Sequence, residues 1–356
     1  MAAAPNIYTA EPAYPVLAHS LLAQREPRRP VYDTAIIDDW NLQHDWDAGI
    51  QSSQTTLFHC GSVIGFSRLR TRSNDSDEYV GQVSINIFFY ADLLSARSHT
   101  RQIPRHLLTT HLLQSAPLSD PSAFIIHPSS FDAFAPSTLL NALRSPSNGA
   151  GLSREDAIRL LDSVQLLPVH NFPSAAQAIG QVSGALQQIQ ERRQQTTDHE
   201  RLNNPPIMLI VAGLDTLAEG IVRASNPVKG AAVLGATLRT LTRISRAYAS
   251  FVCVILVNTS GLGPTHFESN RQPDSATQPR NRNTGEDDAR SSGDDGVRSI
   301  FQASGPSLLS TLLMKTLDQG IDSHILLSDV KSAPVAEVIK DRVGTGLGKW
   351  GIWTRN

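Results

Sequence analysis

Few of the residue patterns that carry chemistry occur in this sequence. It has no H-E-x-x-H or C-x-x-C metal-binding pair, no G-x-S-x-G nucleophile turn and no glycine-rich dinucleotide turn, and its 11 histidines show no ligand spacing. The phosphate-binding pattern G-x-x-x-x-G-K-[ST] is also missing. The segment GTGLGKW at 344–350 is similar in composition to a phosphate loop, but it stands between predicted strands, which favours a turn. These patterns therefore identify no catalytic chemistry.

The composition limits the class of protein. With 356 residues, 40% of them hydrophobic and 18% charged, the chain can bury a large core, which excludes a wholly disordered protein. The 31 Lys and Arg against 33 Asp and Glu give no global basic field that would predict binding to nucleic acid or anionic lipid. No apolar run reaches the roughly 20 residues that a membrane helix needs. We expect a soluble intracellular protein with no membrane partner.

Two cysteines are the only candidates for a disulfide. Cys60 and Cys253 lie in the apolar runs LFHCGSV and FVCVILV, which are typical of strands. We expect buried free thiols in a reducing compartment rather than a disulfide or a metal-binding pair.

From residue 123 onward, short apolar runs alternate with amphipathic segments. FIIHP, QLLPVHNF, PPIMLIVAGLD and FVCVILVNTSG predict strands, while PSTLLNALR, SREDAIRLLDSV, SAAQAIGQVSGALQQIQERR, VLGATLRTLTRISRAYA and SLLSTLLMKTLDQGI predict helices. Pro136 is suited to the first turn of a helix, and Ser153 with Asp156 resembles a capping box. The alternation predicts an α/β fold with a mainly parallel sheet flanked by helices. SHILLSDV, APVAEVIKDRV and KWGIWT predict antiparallel closing strands at one edge.

The predicted domain organisation is an extension followed by one core. Residues 1–50 lack sustained periodicity and predict a loosely structured N-terminal extension, and residues 51–356 predict the core. Residues 264–296 have almost no apolar side chains and predict a disordered insertion within it. SINIFFYADLL and RHLLTTHLLQS are helical or mixed in pattern, without clear boundaries.

Two basic clusters are candidate contacts for DNA or a partner protein. Arg239, Arg243 and Arg246 are spaced four and three residues apart on one face of a predicted helix. Lys331, Lys340 and Arg342 lie in the closing strands. A solvated face is the alternative interpretation of either cluster.

The order of these segments resembles the ATPase core of the RecA family, in particular its eukaryotic recombinase paralogues. IIHPSSFDAFAPSTLLNALR is similar to the second core strand, its turn and the next helix, and PIMLIVAGLDTL resembles the Walker B strand. TLRTLTRISRAYASFVCVILVNTSG resembles the following helix and the strand that ends in a polar sensor turn. The resemblance spans roughly residues 56–356 and implies a RecA-like P-loop NTPase core.

The phosphate cradle of that family is missing. Its expected place is after GSVIGFS, where the chain instead has RLRTRSNDSDEYVGQVS. Arg68, Arg70 and Arg72 in that segment could attract an anion or stand in a solvated loop. ATP is therefore a conceivable ligand that the motifs do not support, and no cofactor is predicted.

The two carboxylates that the family uses in hydrolysis are also missing. Ala212 stands at the Walker B position, and Asp215 comes three residues later, so either a shifted register brings Asp215 to the site or Asp215 is a helix N-terminal carboxylate. The turn HPSSF has no acid before Asp132. Its His127 is either a base or, as is more usual at a strand end, a satisfied polar cap.

What the resemblance implies is an assembly role in place of catalysis. We expect a non-catalytic RecA-like paralogue subunit of a nuclear recombination-mediator complex, which assists recombinase loading in homologous recombination and DNA repair. Its partners would be other RecA-like paralogue subunits, with the strand-exchange recombinase and single-stranded DNA as further candidates. The alternatives are a weak or subunit-shared DNA-dependent ATPase and a RecA-like scaffold subunit of an Elongator-type assembly.

Overall fold

The computed structural model describes residues 42–52, 56–69, 103–115, 120–145, 152–195, 205–263, 297–302, 307–330, 333–342 and 344–352. All of them lie in the unit Trp40–Asn356, one of the two into which the chain divides. The predicted insertion at 264–296, the segment SINIFFYADLL, Lys331 and most of the predicted N-terminal extension lie outside the described residues.

Eight strands build one sheet. They are β1 (Val63–Arg68), β2 (Ala123–Pro128), β3 (Val164–Val169), β4 (Ile207–Ala212), β5 (Val252–Val257), β6 (Ser323–Val330), β7 (Ala333–Asp341) and β8 (Trp350–Ile352). Their order across the sheet is β3-β2-β4-β5-β1-β6-β7-β8; the first six in this order run parallel, and β7 and β8 follow antiparallel at one edge. The predicted α/β class, a mainly parallel sheet flanked by helices with antiparallel strands at one edge, is confirmed.

Helices flank the sheet on both faces. The described residues contain α1 (Gln43–Ala48), α2 (Ile103–Gln114), α3 (Pro136–Arg144), α4 (Arg154–Leu161), α5 (Phe172–Gln195), α6 (Leu214–Ala224), α7 (Pro227–Ala247) and α8 (Leu312–Gln319). Pro136 occupies the first turn of α3, and the Ser153 hydroxyl accepts a hydrogen bond from the Asp156 N–H at the start of α4, as predicted. RHLLTTHLLQS, whose class was left open, is part of α2.

The central strands are buried because each face contributes to a separate hydrophobic core. Every residue of β4 and β5 is buried. On one face Met208 and Ile210 pack with Ile255 and with side chains of α1 to α4. On the other face Leu209 packs with Val254 and with side chains of α5, α6 and α7. This two-sided burial explains the nearly continuous apolar sequence of both strands.

The predicted boundary at residue 50 is corrected by the structure. Leu42, Trp46 and Ile50 are buried in the same core as α2 and α3. The ring centroids of Trp46 and Phe58 lie 4.9 Å apart. The core therefore includes part of the first 50 positions, and among the described residues it begins at Leu42.

One of the three closing strands, β6, runs in the direction opposite to the predicted one. β6 pairs parallel with β1, whereas all three closing strands were predicted to be antiparallel. A helix, α8, precedes β6, and such a crossover returns the chain in the parallel direction. Only the short connections before β7 and β8 reverse it, as hairpins do.

In the described part of the chain, none of the helices has both the length and the hydropathy needed to cross a membrane.

Candidate functional site

The carboxyl ends of β1, β2, β4 and β5 meet at one edge of the sheet. Ligands of open parallel sheets bind in the crevice outside these ends, so this edge is the place where a RecA-like core would hold a nucleotide. The described polar residues there include Arg68 at the end of β1, His127 near the end of β2, Asp215 after β4, and Asn258 and Thr259 after β5. The segment predicted to replace the phosphate cradle follows β1, and its residues 70–84, including Arg70 and Arg72, lie outside the described residues.

Asp215 is a buried structural acceptor at this edge. Its side chain, 5% exposed, accepts hydrogen bonds from the backbone N–H of Thr259 at 2.8 Å and of Ser260 at 2.6 Å. The Thr259 hydroxyl donates a third at 3.2 Å. Asp215 lies in the first turn of α6, which agrees with the helix N-terminal interpretation. Its carboxylate therefore ties the start of α6 to the turn after β5 and faces protein donors where a metal would need open oxygens.

The end of β4 has no side-chain atom that could coordinate a metal ion. Ala212, which the sequence resemblance aligned with the Walker B acid, is 1% exposed and is the last residue of the strand. Gly213 follows with φ of 70°, and a Cβ atom there would lie 2.7 Å from Cγ of Pro128. Glycine is therefore required for two reasons, the left-handed backbone and the contact with the end of β2.

His127 is satisfied at the end of β2. Its Nδ1 lies 2.9 Å from the carbonyl oxygen of Pro128, to which it donates, and the side chain is 8% exposed. Burial lowers the pKa of His127, while the Pro128 carbonyl and Asp132 oppose that shift. These contacts favour the polar cap over the base.

A chain of five polar side chains crosses the sheet beneath this edge. Asn258 Nδ2 donates to Ser67 Oγ at 2.7 Å, and Ser67 Oγ lies 2.7 Å from His324 Nε2. His324 Nδ1 lies 3.0 Å from Asp318 Oδ1, and Lys340 Nζ donates to Asp318 Oδ2 at 2.8 Å. Each donor thus meets an acceptor if the imidazole is neutral with its proton on Nδ1.

The serine, histidine and aspartate of this chain have the types and order of a catalytic triad. Ser67 and His324 are both fully buried, so no substrate reaches the serine oxygen. This series of hydrogen bonds therefore links β1, β5, β6, β7 and α8 inside the core. Sequence reasoning missed it because Ser67 and His324 stand 257 positions apart with no shared motif.

The glycine-rich segment at 344–350 is a turn, as predicted. The carboxylate of Asp341 accepts hydrogen bonds from the N–H groups of Gly344 at 3.0 Å and Gly346 at 2.7 Å. A side chain of the protein itself thus occupies the amide donors that a phosphate would use. No group of three or more metal-ligating side chains occurs among the described residues.

The three predicted basic residues on α7 are all exposed, but their contacts differ. Arg239 and Arg243 are exposed, and neither has an ion-pair partner among the described residues. Arg246 differs, because its guanidinium donates to Asp322 at 2.8 Å and to the carbonyl of Gly61. Its role in holding α7 to β1 and β6 separates it from the other two.

The closing-strand candidates also divide. Lys340 is partly buried and forms an ion pair with Asp318, and burial lowers its pKa against the opposing effect of that carboxylate. Arg342 is exposed. Lys331 lies outside the described residues. Among the described residues, no contact joins Arg342 to Arg239.

The two cysteines have no nucleophilic role. Both are buried and free, with Cys60 in a turn before β1 and Cys253 inside β5. Burial raises the pKa of Cys60 to about 12, against a small opposing effect of Arg193. Both thiols therefore stay protonated near neutral pH.

Comparison with known proteins gives a structural match and no sequence match. No protein-family model matches the chain, and no curated protein matches it. Among solved structures, the crystal structure of the RadB recombinase matches with 12% identity and a TM-score of 0.41, over 82% of this chain and 86% of that one. Similarity at this level assigns neither a function nor a site residue.

We predict that Asp215→Ala lowers the free energy of unfolding by about 3 kcal/mol, because two buried N–H groups lose a charged acceptor. Asp215→Asn should cost roughly half as much, since one oxygen still accepts. Urea denaturation followed by circular dichroism measures both. The exposed Asp132→Ala is the control, and an Asp215→Ala midpoint equal to that of the control would contradict the assignment.

We also predict that the free energy of unfolding falls as the pH drops below 6.5, the ordinary histidine value. Burial lowers the pKa of His324, helped by Lys340 and opposed by Asp318, so below pH 6.5 the unfolded chain takes up a proton that the folded chain refuses. The slope is about 1.4 kcal/mol per pH unit for each such histidine, and buried His111 adds to it. For His324→Gln, the slope of the unfolding free energy against pH should be smaller by the contribution of one histidine. The exposed His44→Gln should keep the full slope.

Proposed function

We propose that this protein is a non-catalytic RecA-like paralogue subunit of a recombination-mediator complex that assists recombinase loading in homologous recombination and DNA repair. The observation that supports this most is at the end of β4. Ala212 provides no ligand, and Asp215, the next available acid, accepts three hydrogen bonds from the turn after β5. Phosphoryl transfer depends on charge positioned around the phosphates and their magnesium ion. Of the two acids that line the cleft at this edge, Asp215 is held by protein donors and Glu219 pairs with Arg223.

A core that keeps its sheet without this chemistry is useful for the surfaces it presents. The face of the sheet covered by α5, α6 and α7 carries the exposed cations Arg239 and Arg243. On the same helix Lys229 is also exposed, and Ala232 and Ala236 leave the helix surface low between these cations. We propose this face as the contact with single-stranded DNA, for which exposed guanidinium groups supply the salt-dependent part of the affinity.

The mediator role is tested by reconstitution. The full chain is purified together with the RecA-like subunits that co-purify with it, and labelled recombinase is followed as it loads on single-stranded DNA covered by a single-strand-binding protein. We expect the complex to increase the loading rate. An unchanged rate would contradict the proposal, and co-purification with Elongator subunits instead would favour the scaffold alternative.

We predict that the double variant Arg239→Ala, Arg243→Ala weakens binding to single-stranded DNA. Two lost phosphate contacts make the slope of log affinity against log salt shallower by about 1.4. Fluorescence anisotropy across a salt series measures the slope. The matched control is Arg154→Ala, Arg159→Ala, which removes two exposed arginines from α4 on the other face of the sheet. Equal slopes for the two double variants would contradict this DNA contact.

A further inference from the structure

A polar pocket lies at the opposite end of the sheet from the nucleotide edge. It is bounded by α1, the segment before β1, the start of β6 and the turn between β7 and β8. The polar side chains that line it include those of Asp45, Thr56, His59, Ser323, Asp341 and Lys349. No function discussed above uses this pocket.

Asp45 is the least supported buried carboxylate of the described residues. The other four, Asp215, Asp318, Asp322 and Glu337, each accept at least two hydrogen bonds. Asp45 is 8% exposed, and its nearest side-chain nitrogen is Nδ1 of the exposed His44 at 3.9 Å. Burial raises the pKa of Asp45, opposed by Lys349, His44 and the backbone of Leu57. The Leu57 backbone thus donates to this carboxylate, whose remaining lone pairs have no side-chain donor of the described residues within hydrogen-bond distance.

His59 provides a second open acceptor. Its side chain is 6% exposed, and Nδ1 lies 3.0 Å from the carbonyl oxygen of Cys60, to which it must donate. In the neutral ring Nε2 is therefore an acceptor, and it has no hydrogen-bond partner among the described residues. A nine-tenths buried imidazole whose second nitrogen opens into a pocket can accept a hydrogen bond from a bound ligand.

Two hydroxyls of the pocket, those of Ser323 and Thr56, donate within the protein. Ser323 Oγ donates to Asp341 at 3.1 Å, and Thr56 Oγ1 donates to the carbonyl of Phe58 at 3.2 Å. Their oxygens thus present lone pairs. Lys349 is the one cation lining the described pocket, and it forms no ion pair with Asp45 within 4.0 Å. Two carboxylates against one ammonium leave the pocket with one negative charge in excess.

We propose that this pocket binds a guanidinium group. The group carries one positive charge and five N–H donors in a plane, which suits a carboxylate with lone pairs to spare beside an imidazole nitrogen that accepts. Asp45 would accept a paired hydrogen bond from it, and His59 Nε2 a further one. The guanidinium comes either from a small molecule such as free arginine or from an arginine side chain of a partner protein. This site is independent of the proposed DNA contact and of recombinase loading.

The test is calorimetric titration of the full chain with arginine, with its neutral isostere citrulline, and with a capped Gly-Arg-Gly peptide. We expect arginine or the peptide to bind at least about tenfold more tightly than the matching citrulline compound, a ratio equal to roughly 1.4 kcal/mol. Binding by the peptide alone would identify a partner side chain, and binding by arginine alone a small molecule. Failure of both to bind at millimolar concentration would overturn the proposal.

Variants of the pocket make the assignment specific. Asp45→Asn should weaken binding at least tenfold, and His59→Asn, whose amide can still donate to Cys60, should weaken it severalfold. Lys349→Met should tighten binding, because it removes a like charge from a partly exposed position where misfolding is not expected. The exposed Glu155→Gln on α4 is the control and should leave the affinity unchanged. Weaker binding by Lys349→Met would indicate an anion site and contradict the proposal.

Discussion

Hydrogen bonds from Thr259 and Ser260 to the carboxylate of Asp215 hold the carboxyl ends of β4 and β5 together. A buried charge is tolerated only when donors surround it, and here the donors are backbone N–H groups of the turn after β5. Three of the roughly four lone-pair sites of this carboxylate already accept hydrogen bonds from the turn after β5. The arrangement that stabilises this edge therefore gives its buried acid a structural role.

The same use of acids recurs around the sheet. Asp322 joins the start of β1 to α7 through the Val63 N–H and Arg246, and Glu337 holds the short 3-10 helix Ile300–Gln302 against β7. Asp318 completes the buried chain that begins at Asn258. In the described part of the core, buried acids thus serve as internal acceptors. Asp45 is the exception, and it lies at the end of the sheet opposite the carboxyl ends of β1, β2, β4 and β5.

The sequence predicted what local pattern determines. Unbroken apolar runs predicted β4 and β5, and Ser153 predicted the start of α4, because burial on both faces and a side-chain cap leave signals within a few residues. The spacing of Asp215 after Ala212 was enough to favour a helix N-terminal role. The contacts of His324 with Ser67 and the burial of Trp46 depend on segments distant in the chain, so no local pattern announced them. The pocket at Asp45 and His59 needs four such segments, and it was equally invisible.

Turnover of ATP in the presence of magnesium is the most direct test of the central claim that Asp215 is a structural acceptor. The rate is measured for the purified full chain and for Asp215→Asn, each alone and with the RecA-like subunits that co-purify. The account predicts no turnover by the full chain alone, and the same rate for both proteins within the complex. Magnesium-dependent turnover by the isolated chain that Asp215→Asn abolishes, while the variant remains folded, would contradict it.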